Sequence, residues 1–198
     1  MKSPKSLYHT LFYLAFAMIL ALPSALTAQD RSNDAPRVSP NASVSQTIGT
    51  TVVTVTYGRP SVKGRDIYGG LVPFDAVWRA GANESTVITF SEDVTVAGGS
   101  GEAQALEAGS YSLFAIPGEE IWSVMFNSDA SQWGSYSYNE SDNVATVETA
   151  AEKTASMEQL MYYFEGVSET EGTLWLHWSD LRVPVVIGSA AAQDSEEE

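Results

Sequence analysis

Apolar and polar positions alternate along most of the chain between residues 38 and 188. From Thr50 to Tyr57, for example, Val53, Val55 and Tyr57 fall on one face of an extended strand and threonines fall on the other. Similar short runs recur about every 8–12 residues, separated by glycine, proline and other turn residues. The pattern predicts an all-β domain, an antiparallel β-sandwich or flattened barrel of about ten short strands.

Three details of this pattern concern the second half of the chain. Residues 150–156 are compatible with a short helix, although their threonines weaken it. Residues 173–178 and 181–187 are predicted as two final strands, and Pro184 would place the last one at a sheet edge because proline has no N–H. Residues 127–139 are predicted to form a long loop rich in aromatic side chains.

The first 28 residues have the features of a signal peptide. Lys2 and Lys5 precede an apolar run of about 12 residues that ends at Pro23, and small residues lead to a predicted cleavage after Ala28. The run is too short for a helix that crosses a bilayer core of about 30 Å; the alternative is an uncleaved anchor. Beyond the leader we predict a linker at 29–37, the folded domain at 38–188 and an acidic disordered tail at 189–198.

We therefore expect an exported protein, periplasmic or extracellular, that does not insert into the membrane once the leader is cleaved. Its formal charge is −15, and removal of Lys2 and Lys5 with the leader would take this to −17. Such a surface repels nucleic acids and anionic membranes, which we exclude as bulk partners.

Residue types limit the chemistry further. The chain has no cysteine, which excludes disulfides, thiolate metal sites and a cysteine nucleophile. His177 is the only histidine outside the leader, so a multi-histidine metal centre is excluded as well. There is no Gly-x-Ser-x-Gly motif, and we interpret His177 as a partly exposed strand residue with a satisfied ring. We predict no catalytic residue, no metal and no cofactor.

Half of the basic residues outside the leader lie within 21 positions of one glycine-rich loop. One interpretation is an anion site for a carboxylate or for a sulfated or uronic sugar, since arginine offers forked donors to such groups. The other is internal pairing with Asp66, Asp75 and Glu84, because ion pairs on surfaces and loops are common. The cations concerned are Arg59, Lys63, Arg65 and Arg79.

The run WRAGANE at residues 78–84 is the densest mixture of polar and aromatic residues in this loop. Arg79, Asn83 and Glu84 are candidates for a small-ligand pocket with Trp78 as its apolar wall. Alternatively they form a buried polar network that only fixes the loop. Among the acidic residues, Glu84 has the setting that best suits a catalytic acid or base.

A second candidate site is an aromatic platform for sugar stacking. Trp122 and Tyr162 alternate with polar residues as core side chains do, whereas Trp133 and Tyr136 lie in the predicted loop. Exposed rings of this kind are used by carbohydrate-binding modules. Trp133 and Tyr136 are therefore the weaker, additional candidates for ligand binding.

Several runs resemble the DUF2911 family, a bacterial domain of unknown function found largely in Bacteroidetes-like bacteria behind a signal peptide. They are SVSQTIGTTVVTVTYGRPSVKGRDIYGGLVPFDAVWRAGANE, AGSYSLFAIPG, WSVMFN, QWG and LRVPV. The likeness covers roughly Val38 to Ile187 and implies an exported β-rich domain, but no activity. The stretch 98–105 departs from it, being longer and richer in glycine than the usual turn, which affects one hairpin only.

The leading hypothesis is a non-enzymatic exported β-sandwich that binds a small anionic or carbohydrate ligand at the 59–84 loop. One alternative is a glycoside- or ester-type hydrolase that uses Glu84, and another is a structural or assembly module of the cell envelope. The hypotheses differ in whether the loop's polar groups line a cavity or saturate one another. The sequence defines no oligomeric state. The predicted ligand-binding residues are Arg59, Lys63, Arg65, Trp78, Arg79, Asn83 and Glu84.

Overall fold

The computed structural model describes residue 31, residues 35–99 and residues 101–189. The predicted leader lies outside this part of the chain, as do residues 190–198 of the predicted tail. Ser189, the first residue of that tail, is fully buried and its backbone N–H donates to Thr170 at 2.8 Å, so it belongs to the fold.

The described residues form ten strands in two antiparallel sheets, which confirms the predicted β-sandwich. The larger sheet has six strands in the order β1-β2-β3-β6-β7-β8, and the smaller has four in the order β5-β4-β10-β9. The sheets do not close into a barrel. The strands are β1 Asn41–Ile48, β2 Thr51–Gly58, β3 Thr86–Phe90, β4 Val94–Ala97, β5 Gln104–Leu106, β6 Gly109–Ile116, β7 Ile121–Asn127, β8 Asn143–Ala150, β9 Glu152–Glu165 and β10 Glu171–Gly188.

Alternation of side chains explains how the sheets meet. On β2, Val53, Val55 and Tyr57 are buried, and the threonines between them point to the other face. The same occurs on β8, where Ala145 and Val147 are buried between exposed neighbours. The core therefore lies between the two sheets. A single 3₁₀ turn, Glu140–Asp142, precedes β8. No helix in the described residues has the length and apolar character that crossing a membrane requires.

The predicted helix at 150–156 is wrong, because these residues continue from β8 into β9. Their partners are on β10, where Leu181 pairs with Lys153 and Arg182 pairs with Glu152. Serine and threonine have weak helix propensity, and the ladder to β10 supplies hydrogen-bond partners that an isolated helix lacks.

The two final strands predicted at 173–178 and 181–187 are one continuous strand, β10. The pairing register shifts on both sides of Ser179, which has φ +54°, so a bulge replaces the predicted break. The edge position predicted from Pro184 is also wrong, since β10 lies inside its sheet. Pro184 falls between the part paired with β9, which ends at Arg182, and the part paired with β4, which starts at Val186. Its missing N–H interrupts neither ladder.

Candidate ligand-binding cleft

The loop between β2 and β3 lies across one end of the sandwich and is attached to both sheets. On the side of the four-stranded sheet, Ser61 forms a bridge with Gln159 of β9, and the N–H of Val62 donates to Glu158 at 2.8 Å. On the side of the six-stranded sheet, Trp78 forms a bridge with Ala115 of β6 through two bonds of 2.8 Å. The loop is therefore fixed at both ends.

Two glycines allow the loop to pack tightly against the end of β2. A Cβ atom on Gly58 would collide with the carbonyl oxygen of Ala82, and one on Gly81 would lie 2.6 Å from Oγ1 of Thr86. Only glycine fits such close approaches. The Gly-rich composition of the loop thus has a direct structural reason.

Backbone strain is concentrated in the same region. Four of the five non-glycine residues with positive φ in the described part of the chain lie in this loop, and the fifth is next to Trp178. Such conformations cost about 1–3 kcal/mol each and cluster at functional sites. The residues are Lys63, Asp75, Ala80, Asn83 and Ser179.

An open cleft of about 410 Å³ lies between the loop, the segment before β1 and the middle of β10. This size falls within the range of small-molecule sites, about 300–1,000 Å³. Trp78 and Trp178 stack against each other in its wall, with ring centroids 6.0 Å apart and an interplanar angle of 20°. The lining residues are Val38, Ser39, Pro60, Ser61, Lys63, Arg65, Leu71, Val72, Trp78, Arg79, Gly81, Ala82 and Trp178.

The two tryptophans belong to a four-ring cluster that is completed by Tyr68 and Trp122. The Tyr68 and Trp122 rings meet edge to face at 5.0 Å. Within the described residues, the Tyr68 hydroxyl and the Nε1 atoms of Trp122 and Trp178 have no hydrogen-bond partner. Burial, followed by the charge of Asp180, raises the pKa of Tyr68, so its hydroxyl stays protonated. Tyr68 and Trp122 therefore pack behind the two tryptophans that line the cleft.

Arg79 brings a cation to this aromatic wall. It is half-buried and forms no ion pair with any described residue, and its Nε is buried without a hydrogen-bond partner. Burial lowers the pKa of Arg79 below its ordinary value, although Tyr136 acts in the opposite direction. Arginine remains protonated under such conditions. The cleft therefore contains a positive charge that the described part of the protein does not neutralise.

Lys63 and Arg65 also line the cleft, whereas Arg59 does not. Arg65 donates to the carbonyls of Ser61 and Val62 at 2.5 and 3.0 Å. Arg59 donates to the carbonyl of Leu160 at 2.9 Å and so attaches the loop to β9. Among the described residues, none of the four loop cations forms an ion pair with the carboxylates considered above, Asp66, Asp75 and Glu84.

Glu84 and Asn83 lie near the cleft but outside its lining, and they hold the segment that precedes β1. Both carboxylate oxygens of Glu84 accept from Nη1 of Arg37 at 2.8 Å, and Nη1 of Arg31 lies 4.0 Å away. Asn83 donates to the carbonyl of Ser39 at 2.9 Å. These contacts fix the segment before β1, whose residues Val38 and Ser39 line the cleft.

The ionisation of Glu84 follows from these partners. Its side chain is buried, which by itself would raise the pKa. The hydrogen bonds from Arg37 and from the Glu84 backbone, together with the charges of Arg37 and Arg31, outweigh that effect and lower the pKa below 4.5. Glu84 is therefore a carboxylate at neutral pH. The sequence analysis missed Arg37; its place just before the domain, in a chain with few cations, was the available signal.

Trp133 and Tyr136 form an exposed aromatic ledge, a name we use for these two residues. Their exposed fractions are 58% and 83%, and the rings stack with centroids 5.9 Å apart and an interplanar angle of 4°. A Cβ atom on Gly134 would lie 3.2 Å from the Tyr136 ring and 3.8 Å from Nη1 of Arg79. The ledge is thus adjacent to the cation of the cleft.

A buried polar network supports the loop that carries the ledge. The fully buried Asn127 side chain donates to the Asn139 carbonyl and to Oδ1 of Asn143, both at 3.0 Å. Its oxygen accepts from Nε2 of Gln132 at 2.9 Å and from the N–H of Asp129 at 3.2 Å. Sequence reasoning did not find these residues, because a buried asparagine at a strand end has no sequence signature.

His177 lies away from the cleft lining. The predicted partial exposure is wrong, because His177 is buried; its Nε2 lies 3.0 Å from the carbonyl of Ala155 in the neighbouring strand, β9. Within the described residues, no group of three or more histidine, aspartate or glutamate side chains is arranged to hold a metal ion.

The class that fold and cleft define is an all-β sandwich with a partly cationic, aromatic-walled cleft at one end. The family model described as "Protein of unknown function (DUF2911)" matches residues 39–187, so the chain belongs to the DUF2911 family, as the resemblance indicated. No curated protein and no solved structure matches the chain.

Proposed function

We propose that this protein is an exported, non-enzymatic binding protein whose cleft takes a carboxylate-bearing ligand. The observation that carries the proposal is Arg79, a half-buried guanidinium that lines an open cleft and has no ion-pair partner among the described residues. Lys63 and Arg65 line the same cleft and add positive charge. Trp78, which is partly exposed and stacks on the buried Trp178, offers an apolar surface to the body of the ligand.

The energetic argument concerns the cost of burying a charge. A cation that leaves water without an internal partner destabilises the fold. A bound carboxylate accepts charge-assisted hydrogen bonds from a guanidinium, each contributing about 1.5–3 kcal/mol. A site of this kind is unfavourable when empty and favourable when filled, which is typical of binding sites.

The negative charge of the rest of the chain makes the cleft cations distinctive. The chain carries a formal charge of −15, so an anionic ligand is repelled everywhere except near a local group of cations. Long-range repulsion is screened at physiological salt, where the Debye length is about 8 Å. Short contacts at the half-buried Arg79 are screened less than this long-range repulsion.

The test is calorimetric titration with galacturonate and, as the neutral counterpart, galactose. We expect wild type to bind galacturonate and to ignore galactose. Arg79→Met should weaken galacturonate binding at least tenfold, the equivalent of about 1.4 kcal/mol. The matched control is Arg182→Met, which removes the same charge from the outer face of the small sheet and should bind like wild type.

Two results would end the proposal. If wild type binds neither galacturonate nor a panel of other small carboxylates, the cleft is not an anion site. If Arg79→Met binds as well as wild type, Arg79 is not the group that recognises the ligand.

The structure gives less support to a hydrolase based on Glu84. That side chain is 5% exposed, is engaged by Arg37 and does not line the cleft. A low pKa also suits a fixed ion pair better than a general acid. A substrate screen of glycosides and esters decides the matter: turnover by wild type that disappears in Glu84→Gln would favour the enzyme.

A purely structural module of the cell envelope would need no open cleft. Its expected arrangement is one in which the loop's polar groups saturate one another, as Glu84 and Asn83 do with the segment before β1. Arg79 does not follow that arrangement. We also propose a periplasmic or extracellular location, supported by the signal-peptide pattern of residues 1–28. Fractionation of the native host with an antibody tests it.

A further inference from the structure

We infer that the ligand is an acidic oligosaccharide rather than a single small carboxylate, and that the aromatic ledge is the subsite for the neighbouring sugar ring. This inference rests on the proposed function, because it takes Arg79 as the group that binds a carboxylate. It adds a second contact region and a minimum length for the ligand.

The first step is the continuity between cleft and ledge. Arg79 lines the cleft, while its Nη1 lies 3.8 Å from the position that a Cβ on Gly134 would take. That position is 3.2 Å from the ring of Tyr136. One guanidinium is therefore within reach of both regions, and a chain whose carboxylate is bound at Arg79 continues naturally onto the ledge.

The second step is the character of the ledge. Tyr136 is 83% exposed and Trp133 is 58% exposed, which is unusual for two large rings in contact. They lie parallel, so they present flat apolar surface together with polar edges. A pyranose ring has the complementary form, since its C–H faces are apolar and its rim carries hydroxyl groups.

The third step is preorganisation. The loop that carries the ledge is fixed by Asn127, which is fully buried and makes hydrogen bonds to three other residues of the loop and to Asn143. The hydroxyls of Ser85 and Ser112 lie 2.8 Å apart, and Ser112 donates to the carbonyl of Asp129 in the loop at 2.8 Å while Ser85 donates to Ser112. A rigid support lowers the entropic cost of binding and is unnecessary for a merely solvent-exposed loop.

Charge selects the class of sugar. A neutral glycan would use the ledge but would leave Arg79 without a carboxylate. An acidic one uses both regions and is held only here, because the remaining surface of this strongly acidic chain repels it. Association of a second copy through the ledge would bring two anionic surfaces together, which disfavours self-association.

The experiment compares galacturonate with its α-1,4-linked tetrasaccharide by calorimetric titration of the whole protein. We expect wild type to bind the tetrasaccharide about tenfold more tightly than the monosaccharide, a gain consistent with an aromatic stacking contact. Tyr136→Ala should remove this gain, so that the variant binds the tetrasaccharide and the monosaccharide with similar affinity. Tyr136→Phe keeps the ring and should retain the gain. Both substitutions are at an exposed position, so the fold should tolerate them.

The methyl-esterified tetrasaccharide is the third probe. It keeps the stacking surface and loses the negative charges, so we expect it to bind far more weakly than the acid. If the ester binds as well as the acid, recognition does not depend on charge and the inference falls.

Failures of the two proposals are distinguishable. If galacturonate binds but the tetrasaccharide shows no gain, or if Tyr136→Ala retains the gain, the ledge is not a sugar subsite and only this inference falls. If neither sugar binds to wild type, this inference falls, and the proposed function falls with it only when the panel of other small carboxylates also fails to bind. Self-association of wild type that is lost in Tyr136→Ala, without any chain-length gain, would identify the ledge as a protein contact and overturn the inference.

Discussion

Two arginines of this protein lie beside aromatic rings, and their surroundings differ. Arg182 lies 4.0 Å above the ring of Trp175 and contacts Glu152 at 2.8 Å and Glu165 at 3.4 Å. Arg79 lies in the aromatic-walled cleft near Tyr136 and contacts no carboxylate of the described residues. The first site is complete within the protein, and the second can accept an anion from outside.

The comparison shows what an excess of acidic residues does. With 25 acidic and 10 basic residues, carboxylates are abundant, and a cation on an exposed strand readily finds one. The pKa of Arg182 is raised accordingly, by hydrogen bonds to Tyr163 and Glu152. An arginine without such a partner, in a chain of this composition, is more informative than an arginine in a balanced sequence.

The largest expected effect concerns an ion pair that is complete within the protein. Like Arg182, Glu84 has partners of opposite charge, here Arg37 and Arg31, but its side chain is buried. Replacing it by glutamine leaves these arginines without their carboxylate, and we expect Glu84→Gln to lower the free energy of unfolding by about 2–3 kcal/mol. Urea denaturation at pH 7 measures it. Glu119→Gln, at an exposed position, should change stability by less than about 0.5 kcal/mol.

This difference between wild type and Glu84→Gln depends on pH. The pKa of Glu84 is lower in the folded than in the unfolded state, so its contribution is fully present above the unfolded value of about 4.5. It is lost as the pH falls through the folded value. We expect the stability difference to shrink steadily below about pH 4.5. A difference that stays constant down to pH 2.5 would contradict this account.

The next prediction supplies the cations of the cleft with a carboxylate from the protein itself. Ser39 lines the cleft that contains Arg79, and Ser39→Asp places an internal carboxylate in that wall. We expect galacturonate affinity to fall about fivefold to tenfold, because the new carboxylate competes for the cations. Ser43→Asp on β1 introduces the same charge at an exposed strand position outside the cleft lining. It should bind like wild type, and equal losses in both variants would show a general charge effect instead.

The smallest effect concerns stability alone. Because the half-buried Arg79 has no carboxylate partner among the described residues, Arg79→Met should leave the free energy of unfolding unchanged or raise it by up to about 1 kcal/mol. Urea denaturation without ligand measures this. A loss of 2 kcal/mol or more, on the order of a broken buried pair, would mean that Arg79 has a structural partner and would remove the basis of the comparison.

The sequence predicted the strands well, because in a β-sandwich apolar residues alternate with polar ones along each strand according to whether they face the core. Val53, Val55 and Tyr57 show this on β2. The errors at residues 150–156 and at Pro184 have a common origin. Both depend on which distant strand provides the hydrogen-bond partner, here β10 for β9 and β4 for the end of β10. Local propensity contains no such information.

The candidate site was predicted in outline only. The sequence located the loop and its cations, because four basic residues in an acidic chain are conspicuous. It could not show that Arg79 lines a cleft while Glu84 faces Arg37, since neighbouring residues of an irregular loop point in different directions. The juxtaposition of Arg79 with Tyr136 joins positions 57 residues apart and emerges only from the packed structure.

The path of the chain through the sandwich has a practical consequence. Ser39 lines the cleft, whereas Ser189 packs beside the Gly49 turn at the opposite end of β2. With eight residues at about 3.3 Å each, β2 places these two points roughly 25 Å apart. A purification tag or sensor-chip linker used in the titrations therefore belongs beyond Ser189, at the end of the sandwich away from Ser39 and the cleft.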